Sequence, residues 1–202
     1  MLLLQKVHYS RTNPLDKPRR VTRPRPQSQF GHPFCAPGTA LLGSLVATNM
    51  NEPIRIAPAT AHDHEWCAQL MVSSEPWITL RRDLPGCRDV LARPGTGLFV
   101  ARDGNSDTPA AFILLASYGF AGSPYIASIA VAPNARSRGL GSKLLEFAER
   151  HYAERRHLFL LVSSFNDRAQ QFYRKHGYER VGELRDYIVP GHSELIFYKS
   201  LA

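Results

Sequence analysis

Cysteine is scarce in this chain. Its 202 residues include three cysteines, Cys35, Cys67 and Cys87, an odd number with no C-x-x-C spacing. That count excludes a disulfide framework and a zinc module of paired cysteines, and it suits a reducing cytoplasm. Long apolar runs are absent too: none approaches the roughly 18 residues that a membrane-spanning helix requires. The opening "MLLL" is too short for the apolar core of a secretory signal and has no basic stretch before it. Neither the G-x-G-x-x-G dinucleotide fingerprint nor the Walker lysine loop occurs, and no segment repeats another.

Acid is missing from one region. Residues 1–49 carry seven basic side chains (Lys6, Arg11, Lys17, Arg19, Arg20, Arg23, Arg25) against one acid, Asp16. The segment therefore holds +6 of the chain's net +8 and leaves +2 for the remainder. Prolines at 14, 18, 24, 26, 33 and 37 each remove a backbone donor and turn the preceding residue away from helix, so the segment reads as disordered. Three readings compete for it: a basic tail for an acidic partner, a targeting sequence, or a start assigned too early. The prolines spoil the amphipathic helix of a transit peptide. Basic residues without interleaved aromatics argue against nucleic acid. Met50 opens "MNEPIRIAPAT" in the manner of a domain start, which favours an inert tail over 1–49 and a folded domain over 50–202.

At 44% hydrophobic, that domain can bury a full core. "IRIAPA" predicts a first strand and "HDHEWCAQLMVSS" a helix with Trp66, Leu70 and Met71 on one side. "CRDVLARP" predicts a second helix ended by Pro94 and Gly95. Two strands follow around a Gly/Asn/Asp turn in "GLFVARDGNSDTPAAFILLASYG", then a strand in "SPYIASIAVAP". Residues 142–156 have the apolar spacing of a strong helix. "LFLLV" at 158–162 predicts a strand buried on both faces. Asn166 caps a further helix that Gly177 ends. "YERVGEL" and "ELIFYKSL" predict closing strands linked through "RDYIVPGHS". The order implies a mixed sheet with helices on its faces.

The junction "RSRGLG", residues 136–141, carries the chemistry. It stands between the strand "SIAVAP" and the helix from Ser142. A helix N-terminus presents unpaired N–H groups and partial positive charge. Gly139 and Gly141 clear side chains away and admit unusual backbone angles, so N–H groups can converge on a diphosphate. Arg136 and Arg138 add charge and forked hydrogen bonding.

With its flanks, this segment resembles the GNAT superfamily of N-acetyltransferases. The motif there is a strand ending in a small-apolar-valine run, then R/Q-x-x-G-x-G/A, a helix, a strand, and an N-x-x-A-x-x-x-Y helix ending near K-x-G-F/Y. The last element reads here as Asn166, Ala169, Tyr173, Lys175, Gly177 and Tyr178. The strong resemblance spans about residues 125–183, and in its core it is similar to ribosomal-protein N-terminal alanine acetyltransferases. It implies an α/β (α+β) GNAT fold, a mixed, mostly antiparallel sheet flanked by helices. It also implies a cytoplasmic enzyme that uses acetyl-CoA as co-substrate, needs no metal, and acetylates a primary amine by direct attack.

Carried over residue by residue, the resemblance puts the pantetheine arm along the backbone of Ile129, Ala130 and Val131. Preorganised N–H donors there would steady the oxyanion of amine attack. The pyrophosphate falls to Arg136, Ser137, Arg138, Gly139, Leu140, Gly141 and Ser142, with Asn166 helping to hold the cofactor. Tyr173 stands near the thioester sulfur as general acid. The general base is open. The alanine acetyltransferases carry a glutamate where this chain has Leu161. Glu194, His192, Tyr187 and Glu75 are candidates, Glu194 foremost.

The acceptor is a small amine or a peptide or protein amine. The alternatives are a protein N-terminal or lysine acetyltransferase, and a non-catalytic acyl-CoA-binding module, which the substitution at Leu161 raises. Many family members are dimers, so a homodimer is conceivable, without nucleic-acid or membrane partners. "HDHEWC" is not expected to bind metal, because His62 and His64 stand two apart and face differently on a helix. Trp77 in "SEPWITL" either lines the acceptor pocket or packs.

Overall fold

Local sequence sets most element boundaries in the computed structural model, which describes residues 54–102, 104 and 107–201. The expected tail over 1–49, the start at Met50 and Cys35 lie outside the described residues. After strand β1 (Arg55–Pro58), helix α1 (Ala61–Val72) opens on a capping box, in which Thr60 and Asp63 satisfy each other's backbone N–H groups. Helix α2 covers Leu84–Leu91, three residues earlier than the sequence predicts. Asp83 caps it by accepting from Gly86 N–H at 2.9 Å, and Pro85 sits in the first turn, where its missing N–H costs nothing.

Strands β2 (Thr96–Arg102), β3 (Ala111–Phe120) and β4 (Ser123–Val131) form an antiparallel meander. Helix α3 (Leu140–His151), strand β5 (His157–Ser163) and helix α4 (Asp167–Lys175) follow, and β6 (Glu179–Val189) and β7 (His192–Ser200) close the chain. The last two strands correct the expected long connection. "RDYIVPGHS" is mostly strand, and the turn is only Pro190 and Gly191. Asp186 and Gly191 adopt positive φ, and Asp186 Oδ1 accepts from Gly191 N–H, which together shape the hairpin end.

The seven strands among the described residues lie in the order β1-β2-β3-β4-β5-β7-β6. Every neighbouring pair is antiparallel except β4 and β5. This mostly antiparallel mixed sheet with four flanking α-helices is the GNAT fold expected above. Register sorts the faces. Phe99 opposes Ile113 and Val100 opposes Phe112, so Phe99 and Phe112 project to opposite sides. Phe99 meets Phe147 of α3 at 4.8 Å between ring centroids, and Phe112 meets Trp77, from the segment between α1 and α2, at 6.4 Å. Helix α4 shares the α3 face, since His176 at its end reaches Ser142 at 2.9 Å.

Candidate active site

Backbone geometry builds one half of the site. Parallel pairing of β4 with β5 is confined to Tyr125↔Phe159 and Ile126↔Leu160. Beyond that point the two strands part. Register on the other edge of β4 shifts between Leu114 and Leu115, which leaves Ala127 as a bulge. Ala132 N–H bonds to Ala110 O at 2.9 Å on the β3 side. By strand alternation Ala130 faces β3 as well, whereas the N–H and C=O of Ile129 and Val131 point into the parting. An open rail of donors and acceptors thus faces the gap.

The rail ends at the α3 N-terminus. A 3-10 turn over Pro133–Ala135 leads into Arg136. Ser137 and Gly139 then take left-handed angles, φ 64° and 79°. Gly139 is the N-cap of α3, without a side-chain cap, and a Cβ there would meet open space. The first intrahelical bond is Lys143 N–H to Gly139 O at 3.0 Å, so the N–H groups of Leu140, Gly141 and Ser142 have no intrahelical acceptor. Gly141 is kept small by packing, since a Cβ there would lie 3.2 Å from Phe172 Cζ. The Ser142 hydroxyl meets His176 Nε2 at 2.9 Å, while Nδ1 meets Phe172 O at 2.8 Å. A carbonyl only accepts, so Nδ1 bears a proton and donates to Phe172 O.

Side chains from distant segments build the other half. A cleft of about 440 Å³ reaches through the parting. Ser128, Ile129, Leu161, Ser163, Asn166 and Tyr173 line it, along with Glu194. Glu75, Trp77, Arg82, Arg93, Tyr125 and Tyr187 also line it. Counting register across the sheet puts Leu161, Ser163 and Glu194 on the Trp77 face, because Leu160 pairs with Ile126 on the α3 face. Tyr173 enters from the α4 side. The two residues expected to do the chemistry therefore approach one cavity from opposite faces.

Both are nearly enclosed, Tyr173 at 6% and Glu194 at 4% exposure. Ser163 Oγ–H donates to Glu194 Oε1 at 2.7 Å. Burial raises the Glu194 carboxyl above the ordinary glutamate range, opposed by the Ser163 bond. Burial, and then the neighbouring Tyr125, hold the Tyr173 phenol well above its ordinary range, so it keeps its proton at neutral pH. Asn166 lines the cleft and also caps α4, its Oδ1 accepting from Ala169 N–H at 3.1 Å.

The remaining base candidates separate clearly. Glu75 is exposed, and its carboxylate accepts from Thr79 N–H at 3.2 Å and Thr79 Oγ1–H at 3.0 Å. His192 is not among the cleft's lining residues, and its ring packs against Phe165 at 4.8 Å. Tyr187 lines the cleft from the exposed β6–β7 hairpin. Trp77 does both things expected of it, lining the cleft while stacked on Phe112. In "HDHEWC", Asp63 pairs with Arg102 at 2.7 Å and Glu65 with Arg88 at 2.9 Å, so both carboxylates are committed to ion pairs. Sequence reasoning passed over Tyr125, Ser163, Arg82 and Arg93. Tyr125 reads there as a plain strand position, Ser163 falls just after the strand predicted over 158–162, and no local pattern marks the two arginines.

A family model described as acetyltransferase (GNAT) family matches residues 57–178. The chain belongs to that family. A GNAT-family structure from Desulfovibrio desulfuricans matches with a TM-score of 0.62 at 19% identity, covering 74% of this chain and 100% of its own. The ribosomal-protein-S18-alanine N-acetyltransferase from Escherichia coli gives 0.60 at 16%, over 74% of this chain and 95% of its own. An aminoglycoside 6'-N-acetyltransferase complexed with coenzyme A gives 0.59 at 14%, over 73% and 97%. At such identities these three likenesses establish the fold, and the family match makes this GNAT chain an acetyltransferase. No described helix is long and apolar enough to cross a membrane.

Proposed function

We propose that the enzyme transfers acetyl from acetyl-CoA to a primary amine by direct attack. The observation that carries this reading is the parting of β4 from β5 after Ile126 and Leu160, with the α3 N-terminus at its end and Tyr173 and Glu194 in its cleft. The open space at Gly139 and the intrahelically unpaired N–H groups after it fit a pyrophosphate. Arg136, Ser137, Arg138 and the backbone of Leu140, Gly141 and Ser142 would hold it. The edge of Ile129 and Val131, with Ala130 keeping the strand in register, suits the amides of a pantetheine arm. Asn166 would contribute its amide N–H groups, as its oxygen is occupied by the helix cap. Bound there, acetyl-CoA supplies an activated acetyl group.

The chain's own groups then manage protons. An alkylammonium of pKa about 10.4 must lose a proton before it can attack. Glu194 accepts that proton at its second carboxylate oxygen, the first being held by Ser163. Tyr173 donates its phenolic proton to the departing sulfur, and its elevated pKa keeps that proton available. Backbone N–H on the β4 edge polarises the thioester carbonyl. A covalent cysteine route finds no support: burial pushes the Cys67 thiol up to about 12 and raises Cys87 too, and neither lines the cleft.

We take residues 50–202 as the catalytic unit, since that span contains every residue named here and the family match. Free, buried Cys67 and Cys87 support a cytoplasmic setting. The acceptor is a small amine, with a peptide N-terminus or lysine as the second reading. The test is release of CoA thiol from acetyl-CoA by the full chain across free-N-terminus peptides, lysine peptides, polyamines, amino sugars and amino acids. Release above the acceptor-free blank with one class is expected. Failure to bind acetyl-CoA, measured separately, would overturn the reading.

A further inference from the structure

The acceptor half of the cleft holds two cationic side chains that the proposed chemistry does not use. Arg82 precedes α2 and Arg93 follows it, and both line the cleft. Among the described residues neither guanidinium forms an ion pair with a carboxylate. Two nearby arginines behave differently. Arg88, within α2, forms a forked pair with Glu65 at 2.9 Å for both bonds, and Arg102 is paired with Asp63. The cleft's own acids, Glu75 and Glu194, form no ion pair with Arg82 or Arg93 either. Glu75 accepts from Thr79, and Glu194 is buried and bonded to Ser163.

Tyr125 ties the two ends together. Its side chain lines the same cleft as Glu194, Tyr187 and Arg93. The base candidate and Arg93 therefore share one cavity with it. The rings of Trp77, Tyr125 and Tyr187 line that cleft too and give it apolar surface beside the two guanidiniums. Arginine is suited to forked recognition of carboxylate. The cleft's volume, about 440 Å³, lies in the range of small-molecule sites.

Resting on the acetyl-transfer reading above, the geometry points to a free amino acid as acceptor, its α-amine towards Glu194 and its carboxylate on Arg93 and Arg82. The α-ammonium gives its proton to Glu194, the neutral nitrogen forms the N–acetyl bond, and the carbon–sulfur bond breaks with the proton from Tyr173 going to sulfur. Trp77 and Tyr187 flank the acceptor's side chain. The same two arginines repel acceptors with several positive charges, so selection works by exclusion as well as attraction.

The experiment compares kcat/KM of the full chain for matched pairs that differ only in the carboxylate: phenylalanine with phenethylamine, and tryptophan with tryptamine. Spermidine and a tripeptide with a free N-terminus and an acidic second residue complete the panel. The amino acid of each pair is expected to lead by about 10- to 100-fold, the range of a charge-assisted hydrogen bond. Arg93→Gln and Arg82→Gln should each shrink that ratio, and Arg93→Lys should keep more of it than Gln. The amines' own acid strengths travel with the acceptor, so the change in ratio reads the guanidinium alone. Three results would overturn the assignment: amines or spermidine matching the amino acids, the acidic tripeptide outrunning them, or ratios untouched by both glutamine variants. Absence of turnover with every amino acid, while acetyl-CoA binds, overturns it as well and leaves the donor reading standing. Absence of acetyl-CoA binding strikes the donor reading itself.

Discussion

The donor half of the cleft and the acceptor half are made of different material. From Ala127 to Ser142 the work falls to the main chain: a bulge at Ala127, an open strand edge, and a helix start shaped by Ser137 and Gly139. On the acceptor side it falls to side chains from Glu75 to Arg93 and from Leu184 to Glu194. Those segments lie far apart in sequence and meet only because β7 sits between β5 and β6. Backbone devices leave short, dense traces in sequence, because few residues permit them. Side-chain devices leave isolated residues of common types. Substitutions should therefore act differently in the two halves: through chemistry on one side and through conformation on the other.

The sharpest break should come from Glu194→Gln. Loss of a positioned general base lowers kcat by about 10² to 10⁴, while KM for acetyl-CoA stays close to its starting value. The pH profile adds a second reading. The folded carboxyl is raised above its ordinary range, so the acid limb of kcat should sit above that range and vanish in the variant. Stability runs the other way. A raised folded pKa favours the folded protein while the carboxyl is protonated, and that contribution disappears as pH climbs through the raised value. Glu194→Gln should remove this decline, which thermal unfolding across pH would show. An unchanged acid limb in the variant would return the base to another group.

Tyr173→Phe comes next, with kcat reduced about 10- to 100-fold, less than for the base because a thiolate is a fair leaving group near its pKa of about 8.5. The phenol is buried and ringed by Phe172, Tyr178 and Phe197, so Phe keeps the packing and a loss would report the hydroxyl. Full turnover by the variant would remove the general-acid role. On the donor side, Gly139→Ala forces a Cβ onto a residue at φ 79°, which costs about 1–2 kcal/mol. It should raise KM for acetyl-CoA about 10-fold and leave saturated kcat nearly intact. A fall in kcat alone would mean that the helix start serves the chemistry rather than the binding.

What could be read beforehand follows the same division. The linked motif from Tyr125 to Glu183 located the donor half and, with the element order, the fold. Asn166 and Gly177 marked the ends of α4 as caps do. The second helix was displaced because Cys87, Val90 and Leu91 set the period, whereas the start signal lay earlier, in Asp83 and Pro85. The β6–β7 hairpin read as a connection because it projects from the core. Arg185, Asp186 and Tyr187 are all exposed in succession, so no alternation marks the strand. Glu194 was found because the resemblance called for a base. Arg82 and Arg93 were not, because nothing local distinguishes an arginine facing a cleft from Arg88 facing Glu65.

The smallest expected effect tests the division from inside the donor half. Ser142 stands third in α3, where a hydroxyl could reach a phosphate, and sequence reasoning counts it among the pyrophosphate contacts. Its hydroxyl is instead bonded to His176, whose other nitrogen donates to Phe172 O. The bond joins the start of α3 to the end of α4, which also meet at Gly141 and Phe172. If the donor half binds through main chain, Ser142→Ala should keep the N–H that matters. KM for acetyl-CoA should then stay within about two-fold, while stability falls by about 0.5–1.5 kcal/mol from the lost hydrogen bond. Calorimetry and acetyl-CoA saturation on the same preparation separate the two. A ten-fold rise in KM at unchanged stability would mean that the hydroxyl turns to the phosphate when the donor binds, and that His176 is its resting partner only.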